Sequence, residues 1–527
     1  MTGVGVALTR ALAARGIDTV FGIPGVHTLE LYRGLAESAI RHVTARHEQG
    51  AGFMADGYAR VSGRPGVAFV ITGPGVTNIL TPMAQARADS VPMLVVSSVN
   101  GRPTLGRGLG HLHELPDQHA LAAQVALLSE HVEQPEALSP ALSRVFDRLG
   151  GGRGGPVHLQ VPTDVLTLPV PEGVEAAPPP PRRVAGDPAT LTQAARMLGQ
   201  ARRPVILAGG GARHADAALR TLAARCDAPV VLTANARGLM HGAALAVPAS
   251  PSLSAVRTLI AQSDCVLAAG TEFGPTDYDM YETGALPAPA DMIRIDICPE
   301  QLARRAAALT IEADAAPALE ALTAQLPDAT GAHDGAARAA AARHAALDEI
   351  GPDMRADIVL LNAIRDTLPG ALIVGDSTQL VYSGNLAYDH DRPGGWFNAA
   401  TGYGALGYAP GAAIGAALAD PQAPVICLIG DGGLMFSAGE LMTAMDEALP
   451  ITFLVWNNHG FGEIAAAMRA AGAPVLGCDP TPPVMHDLAR SCGMPFQRVR
   501  AEAGALSAAL RLPPDGPRMI EVAPGTP

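Results

Sequence analysis

The 527-residue chain is 48% hydrophobic and 17% charged, a composition of folded cores rather than disorder. At about 150 residues per domain it has room for three or four domains. Fifty acidic against 37 basic residues give a net charge of −13, which disfavours a general nucleic-acid surface, and because every basic residue is arginine, Schiff-base, general-base and P-loop lysines are excluded. The six cysteines (Cys226, Cys265, Cys298, Cys427, Cys478 and Cys492) are far apart with no C-x-x-C pair, so the expectation is buried free thiols rather than disulfides or a zinc site. Residues Met1 to Arg15 lack the apolar core of a signal peptide, and no apolar run reaches the roughly 18 residues of a membrane span. A soluble, cytoplasmic protein is expected.

In chain order, the first block offers apolar strands at Val67–Ile71 and Met93–Val96, flanking a helical segment that begins near Gly75. Val170 to Arg183 follows, with four consecutive prolines (Pro178 to Pro181) that admit neither helix nor central strand, and reads as an extended connector. The second block has strands at Pro204–Leu207, Pro229–Leu232 and Ile293–Asp296. Leu326 to Arg355, rich in Ala, Asp, Gly and Arg, reads as a helical tether ending near Gly351-Pro352. The third block has strands at Ala371–Val374, Val425–Ile429 and Ile451–Val455, with a helical stretch from Ser437 to Ala448. Short, continuously apolar strands separated by helices are what parallel sheets covered on both faces require. The prediction is an α/β protein of three doubly wound parallel-sheet domains, residues 1–169, 184–325 and 356–527, with ligands at the carboxyl ends of strands.

Gly430-Asp431-Gly432-Gly433 stands at the end of one third-block strand, and Asn457-Asn458 just past the next. Two side-chain oxygens meeting there, with a backbone carbonyl, suit a hard divalent cation such as Mg²⁺, and the glycines let backbone amides approach a diphosphate. This spacing resembles the thiamine-diphosphate motif of the acetolactate synthase and 2-oxo-acid decarboxylase superfamily. The resemblance implies that Asp431, the Asn458 side chain and the Gly460 carbonyl bind Mg²⁺, with Gly430, Gly432, Gly433 and Phe461 beside the cofactor diphosphate. His47-Glu48-Gln49-Gly50-Ala51 is similar to the family's glutamate segment. It implies that Glu48 lies at the cofactor's aminopyrimidine and favours the imino tautomer. Thr72-Gly73-Pro74-Gly75-Val76-Thr77-Asn78 resembles the family's Gly-Pro-Gly loop, adding Gly73, Asn78 and, from the preceding loop, Pro24. Gly402 to Gly407 matches the segment that bends the cofactor, with Gly404 in it and Leu406 as the apolar buttress. Ser377, Thr378 and Gln379 are further diphosphate candidates. The resemblance covers essentially the whole chain. It implies pyrimidine-binding, central transhydrogenase-like and diphosphate-binding domains, in a homodimer or homotetramer with active sites at subunit interfaces.

Within the superfamily, the flavin segment of biosynthetic acetolactate synthases is replaced by Gly270-Thr271-Glu272-Phe273-Gly274-Pro275-Thr276-Asp277, and their active-site lysine is impossible here, so FAD is not expected. The adjacent histidine pair of pyruvate decarboxylases is also missing. Val26 occupies a position that often carries a proton donor, and His27 follows it. His113, in Leu112-His113-Glu114-Leu115-Pro116-Asp117-Gln118, stands where acetolactate synthases place a substrate-facing pair and is a candidate proton relay. Phe21 to Leu35, with the His113 loop, most resembles the decarboxylases of 5-guanidino-2-oxopentanoate (2-ketoarginine), which release 4-guanidinobutanal and CO₂. A guanidinium substrate needs an anion. Glu463 is the candidate, with Glu114 and Asp117 as alternatives. A flavin-independent carboligase acting on pyruvate or a related 2-oxo acid is the alternative activity. A nicotinamide-dependent oxidoreductase is disfavoured because no Gly-x-Gly-x-x-Gly opens a helix with a suitable downstream acid.

Overall fold

A computed structural model describes residues 2–171, 184–280, 284, 291–327, 334–512 and 515–524. The proline run Pro178–Pro181 lies outside the described residues. Three six-stranded parallel sheets with interleaved helices make up the chain. The first holds β1 (Thr19–Gly22), β2 (Arg41–Thr44), β3 (Gly66–Val70), β4 (Met93–Val99), β5 (Leu128–His131) and β6 (Pro156–Pro162), in the order β2-β1-β3-β4-β6-β5. The second holds β7 (Pro204–Ala208), β8 (Val230–Leu232), β9 (Ala246–Val247), β10 (Cys265–Ala269), β11 (Met292–Asp296) and β12 (Leu309–Glu312), in the order β12-β11-β10-β7-β8-β9. The third holds β13 (Leu372–Gly375), β14 (Trp396–Asn398), β15 (Val425–Gly430), β16 (Ile451–Trp456), β17 (Phe496–Arg500) and β18 (Arg518–Ala523).

By compactness the chain divides into two units. One comprises Met1–Pro181, Gly402–Arg498 and Pro513–Val522; the other comprises Arg182–Thr401, Val499–Leu512 and Ala523–Pro527. In the first unit every residue of β3, β4, β6 and β16 is buried, which is why these strands read as unbroken apolar runs. The order β2-β1-β3 reverses direction between β1 and β3, so a crevice opens beyond their carboxyl ends, where the loops carrying Pro24 and Gly73 begin. In the same unit the helix Glu48–Ser62 packs on the helix Tyr408–Ala419 at backbone contact distance. A Cβ on Gly57 would lie 2.0 Å from the Ala412 carbonyl oxygen, and one on Gly415 would lie 1.9 Å from that of Met54. Tyr408 Oη donates to Asp56 Oδ1 at 2.5 Å, and Arg60 Nε donates to the same oxygen at 2.6 Å, tying the two helices with a buried polar cluster.

Three expectations change. The predicted tether is a packing element: the helix Gly335–Glu349 buries Ala339, Ala342 and Ala346 in the core around Val205, Leu207 and Val231. The helix ends where expected, at Glu349 beside Gly351-Pro352, and the next helix, Gly351–Thr367, starts there with Pro352 in its first turn, where its missing N–H costs nothing. The helical stretch from Ser437 to Ala448 is shorter, Glu440–Asp446, preceded by a turn of helix at Asp431–Leu434. All six thiols are free as expected, but Cys298 and Cys492 are half-exposed rather than buried.

Candidate active site

β15 and β16 run side by side with Gly430 opposite Trp456, so the residues that leave the two strands emerge together. Asp431 opens a short helical turn, and its carboxylate is buried (2% exposed). Burial pushes this carboxyl up, against the backbone amides of Gly432 and Asn458 that face it. The Asn458 side chain closes the arrangement: its terminal amide atom lies 3.1 Å from Asp431 Oδ1 and 2.8 Å from the Gly460 carbonyl oxygen. Turned nitrogen-first, this amide donates to both. Turned oxygen-first, it sets its oxygen at two separations close to the roughly 2.9 Å edge of an octahedron built on 2.0–2.1 Å Mg–O bonds. One carboxylate, one amide and one carbonyl therefore fit a hard, small divalent cation. Among the described residues no cluster of three or more His, Cys, Asp or Glu side chains offers another metal site. Gly460 is glycine for a packing reason, since a Cβ would lie 2.3 Å from the Cys478 carbonyl oxygen, which accepts the Phe461 amide at 2.8 Å. The Phe461 ring lies against Gly432, where a Cβ would meet it at 2.5 Å. Gly430 and Gly433 flank the turn.

Glu48 is the first residue of the Glu48–Ser62 helix, half-buried, and its Oε2 accepts from Asn78 Nδ2 at 3.0 Å. Asn78 stands in the first turns of the Pro74–Ala88 helix, so the glutamate segment and the Gly-Pro-Gly loop are joined by this bond. Gly73 has φ +70°, and a Cβ there would lie 2.3 Å from the His113 carbonyl oxygen, which makes glycine obligatory and brings the His113 loop against this turn. His113 in turn meets His27 edge to face, with ring centroids 5.4 Å apart. Burial, with His113 beside it, pushes the His27 imidazole below its ordinary range. Thus two histidines that are far apart in sequence form one cluster beside the Gly73 turn. Pro24 is exposed in the loop ahead of His27. Leu406 is half-exposed between buried Ala405 and Gly407, with Gly404 (φ +76°) turning the chain ahead of it. The Ala405 amide is held by Gln85 Oε1 at 3.3 Å.

The remaining candidates divide. In the other compact unit, Ser377 donates its backbone amide to Asp376 Oδ1, Thr378 precedes the Gln379–Ala387 helix without a side-chain capping bond, and Gln379 Nε2 lies 3.5 Å from Asp357 Oδ2. Glu463 sits exposed in the first turn of the Gly462–Ala470 helix, three residues past Gly460. Glu114 instead closes its own loop, accepting the amides of Leu109, Gly110 and His111, and Asp117 caps the Gln118–Ala123 helix through the Ala120 amide. Both alternatives for a guanidinium partner are thereby committed to backbone.

Sequence reasoning passed over Gln118, which is buried. Its Oε1 accepts the Gly73 amide at 2.8 Å while its Nε2 donates to Ser98 O and Gln160 Oε1. The one signal was a polar residue directly after the Asp117 cap.

Comparison with known proteins gives the family. Residues 2–121 match the N-terminal TPP binding domain of thiamine pyrophosphate enzymes, residues 191–322 their central domain, and residues 376–522 their C-terminal TPP binding domain. The chain belongs to the thiamine pyrophosphate (thiamine diphosphate) enzyme family. It is 45% identical to the probable 2-ketoarginine decarboxylase of Pseudomonas aeruginosa, over 93% of this chain and 88% of that protein. It is 31% identical to the acetolactate synthase isozyme 1 large subunit of Escherichia coli, over 86% and 81%, and 30% identical to the probable acetolactate synthase large subunit of Methanocaldococcus jannaschii, over 87% and 80%. No helix among the described residues is long and apolar enough to cross a membrane.

Proposed function

We propose that this enzyme is a thiamine-diphosphate- and Mg²⁺-dependent decarboxylase of a 2-oxo acid, with 5-guanidino-2-oxopentanoate as substrate and 4-guanidinobutanal and CO₂ as products. The observation that carries the reading is the convergence of Asp431, Asn458 and Gly460 within about 3 Å, together with the identity to a probable 2-ketoarginine decarboxylase. When bound, thiamine diphosphate supplies a nucleophilic carbon and a sink for the electrons of the bond that breaks as CO₂ leaves. The chain's residues do the rest. Asp431, Asn458 and the Gly460 carbonyl would hold Mg²⁺, and Gly430, Gly432, Gly433 and Phe461 would hold the diphosphate. Leu406 and Gly404 would line the cofactor site. Glu48, held by Asn78, would meet the aminopyrimidine, with Pro24 and Gly73 as further cofactor-binding residues. His27 and His113, in ring contact beside the Gly73 turn, would supply the proton that an aldehyde product needs. Glu463 meets the guanidinium.

The reading carries with it domains at 1–169, 184–325 and 356–527, a cytoplasmic location, no FAD, and a homodimer or homotetramer with sites at subunit interfaces. Exposed Val26, Leu29, Leu109 and Leu112 on the first-sheet loops, and Met435, Phe436 and Ile464 on the third, supply apolar surface for a second copy to cover. Asp431→Ala and Glu48→Gln test the site. Equilibrium dialysis should show that Asp431→Ala loses Mg²⁺-dependent retention of thiamine diphosphate by about 100-fold or more. Glu48→Gln should retain the cofactor and lose most turnover. Wild-type retention in the first variant, or wild-type rates in the second, would overturn the respective assignments.

A further inference from the structure

Glu440 begins the Glu440–Asp446 helix, a place where a glutamate ordinarily faces water and the helix dipole. Here it is 1% exposed. Its Oε1 accepts the backbone amides of Arg46 and His47, each at 3.1 Å, and Oε2 accepts the Thr443 hydroxyl at 2.8 Å. Thr443 Oγ1 also lies 3.3 Å from the Thr44 carbonyl oxygen, at the end of β2. Two arginines on the same stretch, Arg41 and Arg46, pair with Glu447 and Asp446 at the far end of this helix. The Glu440–Asp446 helix and its last-turn neighbour therefore grip the segment from β2 to His47 at several points, and the next residue is Glu48. The grip also explains Gly50, because a Cβ there would lie 2.0 Å from Glu440 Oε1, so only glycine lets the carboxylate reach the two amides. His47 itself caps the Glu48–Ser62 helix through the Gln49 amide.

We infer that Glu440 is a positioning residue for Glu48: its buried carboxylate fixes residues 46 and 47, and so sets where the first residue of the helix places its carboxylate relative to Asn78. The inference rests on Glu48 having the role proposed above. The physical reason is reach. Without the Glu440 acceptors, two buried amides must find other partners, and displacing a catalytic group by about 1 Å is enough to cost on the order of 100-fold in rate.

The test is a cycle in the full-length enzyme assayed with thiamine diphosphate, Mg²⁺ and 2-ketoarginine, paired with amide hydrogen exchange on the cofactor-free protein. Glu440→Ala should lower kcat about ten- to a hundredfold, with the KM for thiamine diphosphate changed by less than about threefold, because the Mg²⁺ residues are untouched. In a Glu48→Gln background the same change should lower the residual kcat by less than about twofold, the non-additivity of residues acting through one another. Glu440→Gln keeps both amide bonds through its side-chain oxygen and should recover most of the loss. Exchange should quicken at Arg46 and His47 in Glu440→Ala and not in Glu440→Gln. A similar loss in both backgrounds, wild-type kcat in Glu440→Ala, or unchanged exchange would overturn the inference. If Glu440→Ala does not fold, Glu440→Asp, whose shorter stem cannot reach both amides, takes its place in the cycle. If Glu48→Gln alone turns over at the wild-type rate, the failure is of Glu48's role; the exchange data then still decide whether Glu440 holds the segment.

Discussion

Glu463 differs from the other acidic residues near the site in having no hydrogen-bond partner or ion pair among the described residues. Glu114 closes a loop, Asp117 caps a helix, Glu440 binds two amides and Asp431 meets Asn458. An exposed, uncommitted carboxylate is what a guanidinium-bearing substrate requires. Glu463→Gln should therefore lower kcat/KM for 2-ketoarginine by about tenfold or more, the scale of one lost charge-assisted bond. Turnover of pyruvate should change less than about twofold. Equal losses on both substrates in steady-state assays would remove Glu463 from substrate recognition. At this scale the sequence was most legible where chemistry restricts the residue type. Asp431 and Asn458 follow from the demand for hard oxygen ligands at two neighbouring strand ends, and the structure sets them 3.1 Å apart. Residues that act by supporting others were invisible. Gln118, Gln85 and Glu440 look like surface polar residues until the fold delivers the Gly73, Ala405 and Arg46 amides to them.

Strands buried on both faces, such as β3, β4, β15 and β16, could be read directly from their apolar runs. Edge strands could not. β2 (Arg41-His42-Val43-Thr44) and β5 (Leu128-Ser129-Glu130-His131) lie at the ends of the first sheet's order, are only partly buried, and have the composition of loops. The tight packing of the Glu48–Ser62 helix on the Tyr408–Ala419 helix was equally hidden, because its glycines matter only once two distant segments meet. β4, β5 and β6 are joined by a polar element inside this core. His158 of β6 is fully buried, with Nε2 2.8 Å from Ser97 Oγ of β4 and Nδ1 2.8 Å from Ser129 Oγ of β5. Burial, aided by nearby His119 and His131, lowers its pKa from 6.5 to about 3. The folded state thus keeps His158 neutral, while the unfolded chain takes up a proton once the pH falls below about 6.5. The stabilisation is intact above that value and is lost progressively toward pH ~3. Between pH ~7 and ~5 the loss from this one group is about 2 kcal/mol. Urea unfolding at both pH values should show that loss in the wild type and a smaller one in His158→Gln. Equal losses would contradict the assignment of acid sensitivity to this strand triplet.

Across the whole molecule, three parallel sheets repeat one alternation of strand and helix, and in the first and third the segments at the carboxyl ends of strands carry the candidate site residues. The loop after β1 carries His27, the loop after β3 carries Gly73, and the loops after β15 and β16 carry Asp431 and Asn458. The alternation of apolar strand and helix made this architecture readable. The packing role of the Gly335–Glu349 helix was not, because its alanine-rich sequence shows no strong apolar stripe. Family membership establishes the cofactor class; what distinguishes this chain within the family is the fate of the substrate once CO₂ has left. In the proposed function the His27–His113 pair and Glu463 are assigned to protonation of a guanidino substrate rather than to attack on a second 2-oxo acid. The most direct measurement is to incubate the enzyme with thiamine diphosphate and Mg²⁺ on 2-ketoarginine and, separately, on pyruvate, and to quantify CO₂ together with the organic product. The account predicts 4-guanidinobutanal formed in step with CO₂ from 2-ketoarginine, and little turnover of pyruvate. Acetolactate from pyruvate, with no aldehyde from the guanidino acid, would contradict it and make the enzyme a carboligase.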